Sequence, residues 1–372
     1  FAALLIAQQL AIFCGLLLRT VSTILDVADV DIWVMNADNQ FIDEMKAISD
    51  DDLYRIRGVP GVEWAVPFYK GQGRVKLDAG NPKGAGLYQQ VVVLGLDDAT
   101  LVGAPREMVV GTLADLRIPD AVVMDENGFK YLWPKEPLHA GKVFEMNDHR
   151  AVVVGICKAS ETFQTFPILY TRYNQAVQFI PQPRQIMSAV FVHPAPGQDA
   201  QEVCRRIEAQ VNFHSDHPGD PRPRLKALTR EDWMWLTLHY FMAHTGVVIN
   251  FSITVSLGFI VGCAIAGQTF YTFTLENLNQ FGSLKAMGVS NLRIAGMVLI
   301  QALVVGLIGY CLGVGLAALF GETVPHFSKL AFYMPWQVLL GTAGAVGLIV
   351  VLSSLLSIRK VLFLEPAVVF RG

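Results

Sequence analysis

The chain has 372 residues, of which 52% are hydrophobic and only 16% charged, and its mean hydropathy is +0.40. Soluble domains carry about 25% charged residues, so the composition requires several membrane spans beside one sizeable polar domain. A net charge of −3 with a pI near 6.3 gives no electrostatic case for nucleic acid.

From Phe1 to Leu18 there is no formal charge, and Arg19 ends the run. This predicts a first transmembrane helix over residues 1–24 whose start is cut off; a buried core helix is the alternative. The first residue is Phe rather than Met, so a true N-terminus upstream is expected. No small-residue cleavage pattern follows the apolar run, so a signal peptide is not.

Residues 25–232 change character. Charges, prolines and glycines return, and short β-like runs follow: Val30 to Met35, Val62 to Phe68, Val91 to Leu96, Ala121 to Met124 and Ala151 to Cys157. Helical runs are expected over Ser49 to Ile56, opening with a serine cap, and over Asp199 to Val211. The fold class is therefore a membrane protein with a large α+β domain between its first and second spans, four transmembrane helices in all, and a helical stalk.

After Asp232 no charged residue occurs until Glu276, a run of 43 residues. A span needs only about 20 apolar residues, and no turn signal divides the run. Residues 233–274 are read as a stalk joined to a second transmembrane helix. The polar edge (Trp233, Trp235, His239, Tyr240, His244) suits the stalk and the membrane interface, and Gly246 to Phe270 suits lipid.

Residues 275–293 follow as a short amphipathic segment. Leu275, Leu278, Phe281, Leu284 and Met287 recur every three residues, near one helix face. Gly288 is placed to stop that helix, and Ser290 or Asn291 to cap the next. A plain membrane-surface connector is the alternative. A third span covers 294–320, within the 28 charge-free residues Ile294 to Gly321. A loop covers 321–335, a fourth span 336–357, and a C-terminal tail 358–372.

Orientation follows from lysine and arginine. Residues 274–293 and 358–372 share one side and hold five basic residues against two acidic; residues 20–241 hold 22 basic against 29 acidic. The short segments are expected in the cytoplasm and the large domain outside.

Sites of chemistry are scarce. No GxxxxGK[ST] loop occurs, so ATP hydrolysis by this chain is not expected, and there is no HExxH or GxSxG. The spans carry no carboxylate, which argues against an intramembrane protease or proton-coupled carrier. His214, Asp216 and His217 sit in a Pro-rich stretch read as a solvated loop. Asp50, Asp51, Asp52, Asp97 and Asp98 read as cap and turn carboxylates. Cys14, Cys157, Cys204, Cys263 and Cys311 show no CxxC or zinc spacing; a Cys157–Cys204 pair in an oxidising compartment is the less favoured reading. Neither a metal nor a cofactor bound by this chain is expected. Gly258, Gly262 and Ala266, and likewise Gly309, Gly313 and Ala317, form small-xxx-small patterns suited to close helix packing, within the chain or at a dimer seam.

The segment ENLNQFGSLKAMGVSNLRI resembles the link between the second and third spans in ABC permeases of the FtsX/MacB superfamily. There a Glu, a short A-hydrophobic-G run and a Ser or Asn precede the third span; here these are Glu276, Leu284-Lys285-Ala286-Met287-Gly288 and Ser290. SDDDLYRIRGVPGVEWAVP and the run from Asp120 to Ile156 resemble the superfamily's extracytoplasmic domain, and the ending PAVVFR its C-terminus. The likeness looks closest to DevC-like permeases. It implies Glu276, Leu278, Phe281, Leu284, Lys285, Ala286, Met287 and Gly288 as a coupling helix for a cytoplasmic ATPase that would hold ATP and Mg. It further implies a second permease copy as homodimer partner, a periplasmic membrane-fusion adaptor and a bacterial inner membrane. An FtsX-like mechanotransmission subunit acting on an extracytoplasmic enzyme, and a sensor or structural protein without ATPase, are the alternatives.

Overall fold

The computed structural model describes residues 1–27, 29–78, 81, 84, 86–180, 186–213, 224–324 and 329–362, with backbone alone for Ile186 and residues 356–362. The His214–Asp220 stretch, Pro325, His326 and the ending Leu364–Gly372 lie outside them. Two compact units emerge: Arg19–His244, and Phe1–Leu18 together with Thr245–Gly372. The first helix, α1 (Ala2–Thr20), runs across the boundary.

Within Arg19–His244 the elements in order are α2 (Ser22–Asp26), β1 (Ile32–Asn36), β2 (Ile48–Ser49), α3 (Asp50–Arg57), β3 (Val62–Lys76), β4 (Tyr88–Leu96), β5 (Glu107–Val110) and a 3-10 turn at Leu113–Arg117. Then come β6 (Ala121–Asp125), α4 (Glu126–Leu132), β7 (Lys142–Met146), β8 (His149–Lys158), β9 (Ile168–Arg172), α5 (Tyr173–Phe179), β10 (Ile186–Met187), β11 (Ala189–Pro194), α6 (Ala200–Asn212), β12 (Leu225–Thr229) and α7 (Arg230–His244). One mixed sheet runs β12-β1-β11-β3-β4-β9-β6-β8-β5, with β7 bridging β3 and β8.

The 15-residue β3 unites the sheet: Val62 to Phe68 pair with β11, and Tyr69 to Lys76 with β4. Side chains alternate across a strand, and both faces are covered here. In β1, Ile32 and Val34 join the core under α6, while Trp33 and Met35 join the opposite core, which includes Trp233 of α7. β4 divides likewise, Val91 and Val93 to one side, Val92, Leu94 and Leu96 to the other. Strands covered on both faces read as continuous apolar runs, as these do. Trp33 is fully buried between Phe191 and Phe68, at ring-centroid distances of 4.5 and 5.6 Å. Such aromatic pairs contribute about 0.5–1.5 kcal/mol beyond the area they bury.

Local chemistry fixes the helix starts. Ser49 accepts from the Asp51 amide, while the Asp52 carboxylate accepts from the Ser49 amide, a capping box. Asp199 accepts from the Glu202 amide at the start of α6, and Asp125 from the Gly128 amide at the start of α4. Asp97 holds a turn through the amides of Ala99 and Thr100. All five cysteines are free; Cys157 and Cys204 are buried in different cores, and burial raises both thiols, Cys204 to about 12. The disulfide alternative therefore falls away.

The other unit adds α8 (Val247–Glu276), α9 (Leu278–Ala286), α10 (Asn291–Thr323) and α11 (Trp336–Leu362) to the start of α1. Among the described residues four helices are long and apolar enough to cross a membrane: Ala2–Thr20, Val247–Glu276, Asn291–Thr323 and Trp336–Leu355. At about 1.5 Å per residue, the 30 residues of α8 reach about 45 Å and exceed the hydrocarbon thickness. Large apolar side chains such as Ile249, Leu257, Leu307 and Leu340 are exposed along these helices, as lipid requires.

One expectation is corrected. The run from Trp233 to Leu275 is not one continuous helix but two, α7 and α8, parted at Thr245 and Gly246. Gly246 sits at φ +66°, a left-handed conformation that glycine adopts without penalty. Polarity changes at this point, from the edge that ends at His244 to the apolar run from Gly246, but that change alone does not show that the helix breaks there; α7 packs with the Arg19–His244 unit.

Candidate functional site

The segment from Glu276 to Gly288 is built as a short helix between two tight corners. At the first corner α8 ends at Glu276, and both the backbone amide and the side-chain amide of Asn277 donate to the Phe273 carbonyl, at 3.1 and 2.8 Å. The Phe281 amide then donates to the Asn277 carbonyl and starts α9. At the second corner Gly288 adopts φ +88°. Its amide donates to the Lys285 carbonyl, and the Val289 amide donates to the Leu284 carbonyl, both at 3.1 Å. That pair of bonds is a Schellman closure. Ser290 takes the N-cap position of α10; its carbonyl accepts from the amides of Arg293 and Ile294, and its hydroxyl makes no capping bond.

Phe281 is buried on α10 against Ile294 and Val298, with Leu284 and Val289 packed beside it. Leu278 is half-buried, whereas Leu275 and Met287 are exposed. The five residues therefore do not share one face. Steps of three residues fall about 60° short of a full turn, so the row rotates away from α10 at both ends, and Leu275 belongs to α8. Glu276, Asn279, Gln280, Ser283, Ala286 and Met287 are exposed along the segment, and Leu292 and Arg293 are exposed at the start of α10. Lys285 is half-buried. Leu292, 85% exposed, was not singled out by periodicity because it begins the next helix.

The small residues of the spans divide by neighbour. A Cβ on Gly262 would lie 2.6 Å from the Ala2 Cβ, and one on Gly313 would lie 2.6 Å from the Ala3 Cβ. Gly258 faces Leu5 and Ile6, and Ala317 is fully buried. Gly258, Gly262 and Gly313 thus admit α1 of the same chain. Among the described residues Gly309 has no neighbouring atom within 4 Å of such a Cβ; with Ala266 it lines an apolar cleft of about 220 Å³.

In the Arg19–His244 unit the described residues hold no cluster of His, Cys, Asp and Glu fit for a metal. A polar cleft does occur there, around Lys70, Asp43 and Thr162. Burial pushes the Lys70 ammonium pKa down, against the opposing effect of Asp43.

Four helices long and apolar enough to cross a membrane, a sheet-rich domain between the first two and a closed joint between the second and third define the class as a membrane protein with one large domain outside its spans. The model of the MacB-like periplasmic core domain matches residues 12–210, more than half the chain, and that of the FtsX-like permease C-terminal domain matches residues 247–366. The chain belongs to the FtsX/MacB family of permeases. It is 29% identical over 113 residues to uncharacterized ABC transporter permeases of Mycobacterium bovis and Mycobacterium tuberculosis; the match covers 30% of this chain and 31% of each relative. Among solved structures, the extracellular domain of the noncanonic ABC-type transporter YknZ from Gram-positive bacteria aligns with TM-score 0.38 and 13% identity, over 54% of this chain and 98% of that one. The periplasmic region of MacB from Actinobacillus actinomycetemcomitans aligns with TM-score 0.40 and 13% identity, over 56% and 92%.

Proposed function

We propose that this chain is the membrane subunit of an ABC-type complex of the inner membrane, and that it couples ATP hydrolysis on a separate cytoplasmic ATPase to rearrangement of its extracytoplasmic domain. The observation that carries this reading is the outward surface of α9. Met287 is 73% exposed and Leu292 85%, and both stand among exposed polar side chains from Glu276 to Arg293. The hydrocarbon core would not solvate those polar groups, and burial against a partner would remove those apolar ones from water. A mixed surface of this kind fits a protein partner.

The joint is suited to transmit a push. α9 is clamped to α10 by Phe281 and closed by Gly288, so a displacement of its outer face moves the roots of α8 and α10 with it. α8 leads back to Gly246 and then to α7. Export through a periplasmic adaptor and a homodimeric arrangement complete the proposal; the family resemblance supports them. The experiment is reconstitution of the purified chain in nanodiscs. Alone it should hydrolyse no ATP, and with its cognate ABC ATPase it should bind stoichiometrically and stimulate hydrolysis. Robust hydrolysis by the chain alone, contaminants excluded, would overturn the assignment.

A further inference from the structure

A cleft of about 300 Å³ opens in the Arg19–His244 unit between the β3–β4 surface and two loops, one around Asp43 and one around Thr162. Its buried part is made by Lys70, whose side chain is 7% exposed, Thr162, 3% exposed, and Val92, 6% exposed. Lys70 Nζ donates to the Ile42 carbonyl at 2.9 Å and to the Asp43 carboxylate. An ammonium carries three protons, and two of them meet acceptors among the described residues. The Thr162 hydroxyl, also buried, has no partner among the described residues. A buried polar group left unmade is costly, and this one lines the same cavity as the Lys70 ammonium. Exposed side chains complete the mouth: Glu44, Gln72 and Gln164. The Gln72 Oε1 accepts from Gln90, which leaves its amide nitrogen as a donor.

The charges select the ligand class. Lys70 is the one cation among the lining residues and is already neutralised by Asp43, while Glu44 adds a negative charge, so an anion has nothing to answer it. A cation would meet the ammonium at the buried end. What satisfies these groups is a neutral molecule whose oxygens accept from Lys70 and Thr162 and whose hydroxyls donate to Glu44 and Gln164. Both loops are also tied to one helix. Phe41 stacks on Tyr240 with centroids 4.3 Å apart, and Phe163 packs on Phe241 at 5.2 Å, both on α7.

We propose that this cleft binds a neutral, hydroxyl-rich ligand of mono- or disaccharide size, and that α7 responds to its occupancy through Phe41 and Phe163. A ligand that draws the two loops together biases the helix they rest on.

The test uses the full chain in lipid nanodiscs, since maltoside detergents are themselves saccharides. Glucose, N-acetylglucosamine and maltose are titrated by saturation-transfer NMR, with glutamate and spermidine as charged probes. At least one sugar is expected to bind saturably and neither charged probe to compete. Thr162→Val, which removes only the hydroxyl bond, should weaken that sugar by about three- to tenfold, and Thr162→Ser should restore it. The exposed variant Gln164→Ala provides a second loss in a protein that folds. Hydrogen exchange over Arg230–His244 should slow on binding, and the Phe41→Ala/Phe163→Ala pair should abolish the slowing while sugar still binds. No saturable sugar binding, preference for a charged probe, or wild-type affinity in both Thr162→Val and Gln164→Ala would overturn the binding site. Unchanged exchange in α7 at saturation would overturn its link to the helix.

Discussion

The amide of Val289 donates to the carbonyl of Leu284 at 3.1 Å, and this bond closes α9 over Gly288. It exists only because Gly288 holds φ +88°, where nothing among the described residues lies within 4 Å of an added Cβ. The cost of a side chain there is conformational, not steric contact. Gly288→Leu should therefore cost about 1–2 kcal/mol, and Gly288→Asn, which tolerates this region, clearly less. Thermal unfolding in nanodiscs checks the order; equal midpoints for the two variants would contradict it.

Packing of the spans makes a second contrast. Gly313→Ala places a methyl 2.6 Å from the Ala3 Cβ and 2.8 Å from the Leu4 amide nitrogen, so α1 must shift. Overpacking of this kind costs about 1–3 kcal/mol. Gly309→Ala meets open space and should leave monomer stability within about 0.5 kcal/mol. A loss at Gly309 as large as that at Gly313 would contradict the open space and point to a second copy covering it, as the proposed homodimer allows.

Burial raises the pKa of Asp98 beside Asn174, partly offset by Asn174 and Arg172. The sign follows directly. A carboxyl whose folded pKa lies above its unfolded value gives stability that is full below the unfolded pKa and is lost as pH rises through the folded one. Relative to wild type, Asp98→Asn should thus gain stability as pH rises through the carboxylate range. Paired melting curves from pH 3 to 7 measure this, and parallel curves would exclude it.

Topology is checked with single cysteines on a background in which all five native ones are replaced. Leu87→Cys, exposed beside β4, should label only from outside, and Ser283→Cys, exposed on α9, only from inside. Labelling of both from one side would overturn the orientation and the coupling that depends on it.

Much of this was legible in the chain because its signals are local. The capping box at Ser49 and the cap at Asp199 sit within four residues of what they hold, and Val91 to Leu96 is an apolar run that needs a strand covered on both faces. Charge-free length alone marks the four spans. At Gly246 the change from polar edge to apolar run was legible, but the break in the helix was not, because a left-handed glycine has the same charge and hydropathy as a helical one. Nor was the true face of α9, since Phe281 is selected by Ile294 and Val298 on the next helix, beyond Gly288. Asp43, Lys70 and Thr162 lie far apart in sequence and meet only because β3 and two loops converge; no spacing rule finds them.

The central claim is that the outward surface of α9 docks a cytoplasmic ATPase and that α8 carries the motion outward. Lys285→Glu alters charge complementarity at its edge, and Met287→Asp places a charge in its exposed apolar part. Val255→Pro interrupts α8 in the membrane without touching the docking face. The deciding measurement is a paired assay in cells, ATPase co-purification beside transport, at matched expression. Lys285→Glu and Met287→Asp should lose the ATPase and transport together, and Val255→Pro should keep the ATPase and lose transport. If both surface variants retain the ATPase and transport as wild type, the segment is only a connector and the coupling account fails.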